Sequence, residues 1–166
     1  MSRQFNHKIY NSHIEEIHSF DAFYSHVVLR NNNLVIPYIN LGISLHPANP
    51  TSELMFFNFA YMVFTEVSYL DIFLERRRYK VLDRGKKMNV SYHFGGTYLD
   101  YEEAIFNDME ICSEEAYLQI VPTSQLSKEM WMPSPRPGFE RNIDIEEMNS
   151  FFNVEYFPAN IKELVK

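Results

Sequence analysis

The chain has 166 residues, 46% hydrophobic and 22% charged, with a formal net charge of -7. That is one soluble domain's worth of chain, able to bury roughly 70% of its unfolded surface without staples. A single cysteine, Cys112, excludes an internal disulfide and any C-x-x-C or Cys/His zinc spacing, and 14 Phe, 11 Tyr and 1 Trp are too many rings for a disordered chain.

Residues 1–10 carry Arg3 and Lys8 with no apolar run behind them. No secretory leader is expected, and the expected address is cytoplasmic. Residues 21–45 read as strand, Asn31-Asn32-Asn33, strand, since asparagine tolerates the left-handed backbone of a three-residue hairpin loop. Pairing Arg30 with Leu34 sets Phe23, Val27 and Leu29 on a core face with Val35, Ile39, Leu41 and Ile43. The opposite face then exposes Tyr24, His26, Val28, Ile36 and Tyr38. Pro37 has no amide donor, which places its strand at an edge or a bulge, and such an edge is a route to a homo-oligomer.

Residues 54–74 are apolar but interrupted by Asn58, Glu66, Ser68 and Asp71, which argues against a membrane span. Phe, Tyr, Val, Thr and Ile dominate the run and favour strands, broken near Asn58 or Glu66. A partly helical run, giving a mixed α+β fold, is the alternative.

Between residues 76 and 105, Phe94-Gly95-Gly96-Thr97 reads as a two-residue hairpin that pairs Tyr92 with Leu99 and Val90 with Tyr101. An even-numbered loop around Arg84-Gly85 pairs Tyr79 with Val90 and Val81 with Met88. Rings then turn inward, Arg78, Ser91 and Asp100 form one outer polar row, and Lys80, Asn89 and Glu102 form the next. Residues 116–121 read as a short strand closed by Pro122. The run from Trp131 to Gly138, with prolines at 133, 135 and 137, is a loop. Asp144-Ile145-Glu146-Glu147 has the form of an N-terminal cap for a short helix bearing Met148, Phe151 and Phe152, and a second short helix is placed at 161–165. The expected fold is mainly β: an antiparallel two-layer sandwich or strongly curled sheet, with one or two short C-terminal helices, in a single domain over residues 1–166.

Charge falls in blocks. Residues 75–87 hold seven basic and two acidic side chains, a local +5, so the rest of the chain carries -12. Arg76, Arg77, Arg78, Lys80, Arg84, Lys86 and Lys87 read either as a phosphate contact or as neutralisers of the acidic strand beside them. The second reading is favoured, because an acidic protein repels a polyanion, and no nucleic-acid partner is expected. Residues 100–115 hold seven acidic side chains and no basic one. Of these, Asp108, Glu110, Glu114 and Glu115 read either as a surface that steers a basic protein partner or as a solvated face.

Tyr24, Tyr38 and Tyr98 are the candidate tyrosines of a recognition face, against the alternative that they fill the core. Trp131 is a second candidate anchor, its alternative being a loop pinned to the core by one indole. The six histidines, His7, His13, His18, His26, His46 and His93, show no H-x-H or H-E-x-x-H spacing. No nucleophile elbow or phosphate-binding glycine loop occurs, and the acidic setting of Cys112 lowers its reactivity. No catalytic residue, metal or cofactor is expected. The leading expectation is a non-enzymatic protein-binding module, of the size and charge of small acidic inhibitors or immunity-type proteins for basic partners. The alternative is a small-ligand-binding protein or hydrolase with His26 or His93 as base, between the sheets.

Overall fold

The computed structural model describes residues 8–24, 27–74, 77–86, 90–99, 104–121 and 124–131, together with Glu146. Fourteen strands run in chain order: β1 Lys8–Tyr10, β2 Ile17–His18, β3 Phe23–Tyr24, β4 Val28–Arg30, β5 Asn33–Tyr38, β6 Leu41–Ile43 and β7 Met55–Phe57. They continue as β8 Ala60–Thr65, β9 Tyr69–Leu74, β10 Arg77–Asp83, β11 Val90–Leu99, β12 Ala104–Ser113, β13 Glu115–Ile120 and β14 Leu126–Ser127. A single 3-10 turn, Ile14–Glu16, precedes β2.

The strands make a front sheet ordered β1-β13-β8-β5-β4, a back sheet ordered β10-β9-β12-β11-β3 and a small end sheet ordered β14-β7-β6-β2. All pairs are antiparallel except β3 with β11. The fold is mainly β and sandwich-like, with 60% of the described residues in strands against 4% in helices, and the strands of residues 54–74 exclude the mixed α+β alternative. Residues 54–74 hold three strands, and the breaks fall at both Asn58 and Glu66. Of the expected C-terminal helices only Glu146 is described, and it is helical; the rest, like Pro122, lie outside the described residues.

One core draws on all three sheets. Leu34, Ile36 and Tyr38 of β5, Met62 and Phe64 of β8 and Leu118 of β13 meet Leu70, Met109, Ile111 and Phe94 of the back sheet, with Leu41, Ile43 and Phe57 from the end sheet. Phe64 sits against both Tyr92 and Phe94, with ring centroids 5.6 and 5.5 Å away. Each such aliphatic or aromatic side chain contributes about 1.5–3 kcal/mol by leaving water. The front sheet is also covered behind, where Val35, Val63 and Tyr117 form a second buried cluster. Burial on both faces is why β5 and β8 read as continuous apolar runs rather than alternating ones.

Several expected registers are corrected. Asn31 and Asn32 both have positive φ (52° and 63°), and Arg30 pairs with Asn33, so the loop has two residues rather than three. That difference of one residue exchanges the faces: Leu29 lies opposite Leu34, and the even-numbered Leu34, Ile36 and Tyr38 point into the main core instead of Val35. Replacing Asn32 by Ala should cost about 1–2 kcal/mol, because a Cβ in the left-handed region is crowded by the next carbonyl, whereas Asn32→Gly should be near neutral. Urea melts of the two variants measure the difference.

Gly95-Gly96 is not a turn. β11 runs straight through both glycines and pairs with β12 from Val90↔Ser113 to Leu99↔Ala104, so Tyr92 faces Ile111 rather than Leu99. The glycines serve close approach instead. Gly95 donates its N–H to Ser19 Oγ (2.9 Å), the Tyr38 hydroxyl donates to Gly95 O (3.1 Å), and Ala22 O lies against Gly96. Similarly, β10 pairs with its sequence neighbour β9, not with β11, so Tyr79 lies opposite Ile72 rather than Val90 and Arg78 opposite Phe73 rather than Ser91; Met88, Asn89, Asp100, Tyr101 and Glu102 of the expected pairs and rows lie outside the described residues. At the end of its sheet Tyr79 remains 46% exposed. Pro37 is not on an edge strand: β5 lies between β8 and β4. β4 stops opposite Val35, so Pro37 sits beyond its end, and no ladder donor is demanded of it there.

Candidate functional site

The outer face of the back sheet carries the charged side chains in rows set by the register. Lys80, Asp71, Glu110 and His93 lie in line across β10, β9, β12 and β11, with Asp108 two residues along β12 from Glu110. Asp71 is nearly buried and is met by Arg78 Nε at 3.4 Å and by the Tyr69 hydroxyl at 3.3 Å. Lys86 Nζ reaches Glu110 at 2.9 Å and lies 4.9 Å from the centre of the Tyr69 ring. That hydrogen bond holds the Glu110 carboxyl below the usual carboxylate range and raises the Lys86 ammonium. The basic block thus neutralises its acidic neighbour, through β9 and the loop after β10 rather than through the expected hairpin.

The acidic block is divided accordingly. Glu110 is paired with Lys86 on this outer face and the exposed Asp108 lies on the same side of β12, whereas Glu114 and Glu115 stand at the corner where β12 passes into β13. There they gather other carboxylates that are distant in sequence. Glu114 donates its N–H to Thr65 O (3.0 Å), Glu115 pairs with Thr65, and Glu66 follows directly. Glu66 itself has positive φ (49°) and donates its N–H to Asn33 Oδ1. On the other side, partial burial followed by the Glu15 and Glu115 carboxylates raises the Tyr92 hydroxyl above its ordinary value. Glu15, Glu66, Glu114 and Glu115 are all exposed, and none has a cation partner among the described residues. The Glu115 carboxylate accepts from the Tyr117 hydroxyl, and its backbone O from Ser113 Oγ (3.1 Å).

The expected tyrosine face is overturned. Tyr24 and Tyr38 are 3% and 0% exposed, with their rings in edge contact at 5.9 Å. The hairpin register turns Tyr38 inward with Leu34 and Ile36, while Tyr24 belongs to β3, which joins the back sheet beside β11 and turns its ring to the same core. Burial, ahead of Tyr24 and Asp108, holds the Tyr38 hydroxyl well above its ordinary value. Tyr98 pairs with Tyr24 across β11 and β3, and its side chain lies outside the described residues. Trp131 is 8% exposed in a cluster with Ile39, Phe56 and Phe59, so it pins the chain to the core rather than offering an anchor. The aromatic at the acidic corner is the half-buried Tyr92. No sequence pattern signals it, because Glu15, Tyr92 and Glu115 are far apart in the chain and come near one another only in the fold.

Of the two candidate bases, only His93 is among the described residues, and it does not lie between the sheets. His93 is exposed on the outer face opposite Glu110, and His26 lies outside the described residues. Among the described residues no three His, Cys, Asp or Glu side chains are grouped to hold a metal, and no helix is long and apolar enough to cross a membrane. The buried histidine is His46, whose Nδ1 accepts from the Ala48 N–H (3.0 Å) and whose ring meets Tyr10 at 5.1 Å and His13 at 6.2 Å. Burial, and then His13, lower its pKa, against the Ser12 backbone and Glu16. Below the ordinary value of 6.5 the unfolded chain therefore binds a proton that the folded protein resists. Stability should fall as pH drops through that value and level off below the lowered native one. His46→Gln should flatten this part of a urea-midpoint series taken between about pH 8 and pH 5.

Beside His46 opens a cleft of about 270 Å³, between β1 and β13 of the front sheet and β7 and β14 of the end sheet. Phe57, Ile120 and Leu126 make its apolar wall, and Lys8, Tyr10 and Ser124 bring polar groups to it. Compared with protein-family models, with curated proteins and with solved structures, the chain matches none of them.

Proposed function

We propose that the protein is a non-enzymatic binding module that docks a basic protein partner in the cytoplasm, as an acidic inhibitor or immunity-type protein does. The observation that carries this reading is the corner where Glu114 and Glu115 meet Thr65 beside Glu66, with Glu15 and Glu115 both acting on Tyr92. These four carboxylates are exposed and without cations among the described residues, while Asp71, Asp83, Glu110 and Glu53 each have a cation. Unbalanced charge of this kind raises the association rate with a basic surface, and a half-buried phenol supplies contact area at low entropic cost. Nucleic acid is not the proposed partner, since Arg78, Lys80 and Lys86 are engaged by carboxylates of the same chain.

The test is capture from the native host's lysate at low salt, followed by association kinetics on the captured protein. The double variant Glu114→Lys with Glu115→Lys should slow association by at least about tenfold. A charge-matched control, Asp21→Lys with Glu129→Lys, alters exposed carboxylates elsewhere and should change it far less. Equal loss in both doubles, or no basic protein captured at either low or physiological salt, would refute the reading.

A further inference from the structure

The cleft beside His46 does not belong to the acidic corner, and its chemistry is the reverse. Lys8 pairs with Ile120 and Tyr10 with Leu118, whose side chains are both in the core, so Lys8 and Tyr10 occupy the inward-facing row of β1. An ammonium on the core side of a strand, with no acidic partner among the described residues, therefore borders a wall of Phe57, Ile120 and Leu126. In a protein of net charge -7 this is a local inversion of sign, set where apolar surface is also on offer. The space of about 270 Å³ equals that of about nine water molecules at ~30 Å³ each, room for a ligand of similar heavy-atom count.

We propose that this cleft binds a small amphipathic monocarboxylate, with its carboxylate at Lys8 and its hydrocarbon body against Phe57, Ile120 and Leu126. One ammonium with neighbouring hydroxyls matches a single negative charge. A phosphate dianion would call for an arginine fork, and no arginine is among the described residues that line the cleft. The Tyr10 hydroxyl is available to steady the head group, while Ser124 Oγ already donates to Phe59 O and keeps a lone pair free to face solvent or ligand water.

Hexanoate is a suitable probe, titrated into the full chain and followed by calorimetry and by methyl shifts of Ile120 and Leu126. Hexanoate should saturate in the millimolar range or tighter, and hexanamide, its neutral counterpart, should bind about tenfold more weakly. Lys8→Met should remove that preference by weakening hexanoate alone, and Lys8→Arg should restore it. Lys8 is exposed, so neither variant threatens the fold. An inward charge on an edge strand also guards against aggregation. If that is its whole role, Lys8→Met will lower solubility and leave hexanoate binding unchanged, which overturns the proposal, as does equal affinity for acid and amide or shifts confined to other residues.

Discussion

Gly96→Ala is expected to cost about 3 kcal/mol of unfolding free energy, although it adds one methyl group in the middle of a strand. Gly96 has φ +148°, and a Cβ built there would lie 3.1 Å from Ala22 O and 3.4 Å from both Ser19 O and Tyr24 Cδ1. Two of these neighbours are backbone atoms, which cannot swing aside as a side-chain end can. Ala22 O also accepts the Thr97 N–H at 2.8 Å, so displacing it loosens the parallel pairing of β3 with β11. Gly85 provides the comparison, with φ +90° and nothing within 4 Å of where a methyl would stand. Gly85→Ala should lose only the backbone term, about 1–2 kcal/mol. Urea unfolding of both variants decides the matter: similar losses would mean that β3 does not pack against Gly96.

Asn40→Leu should be more damaging still, at about 4 kcal/mol, from two causes acting together. Asn40 is fully buried with φ 65°, and its side chain holds the backbone of Trp131 at both ends. Oδ1 accepts the Trp131 N–H at 2.6 Å and Nδ2 donates to Trp131 O. Leucine would remove both hydrogen bonds from the buried Trp131 backbone, at about 1–3 kcal/mol each, and would itself be strained in the left-handed region. Asn40→Gly removes the strain but loses the same hydrogen bonds, so it should fall between Asn40→Leu and the native protein. Trp131 is the only tryptophan, which makes its emission a direct report. Release from the Ile39, Phe56 and Phe59 cluster should shift that emission to the red, and an unshifted, equally stable Asn40→Leu would disprove the pinning role.

The mainly β class was legible because β-branched and aromatic residues fill the runs and turn-forming residues separate them. Registers were not. The three asparagines of 31–33 admit a loop of two residues or three, and only packing against β8 selects two. The glycine pair had the local chemistry of a hairpin turn, yet the close passage of Ser19, Ala22 and Tyr38 claims both glycines for the interior of β11. These two features together account for the inward Tyr24 and Tyr38. The acidic block was legible as composition but not as surface. A strand separates residues that a sequence window joins, so Asp108 and Glu110 went to the outer sheet face and Glu114 and Glu115 to the open corner.

The order of the front and back sheets bears on how the chain reaches this state. Lys8 pairs with Ile120, 112 residues further along the chain, and Phe23 with Thr97, 74 residues further, so both strands are made well before these partners. Such distant closures make for slow refolding, on the millisecond-to-second scale of non-local β proteins. Phe23 can meet Ile39 early, but until β13 is made β1 has no strand beside it, and its open edge is one that another chain could pair with.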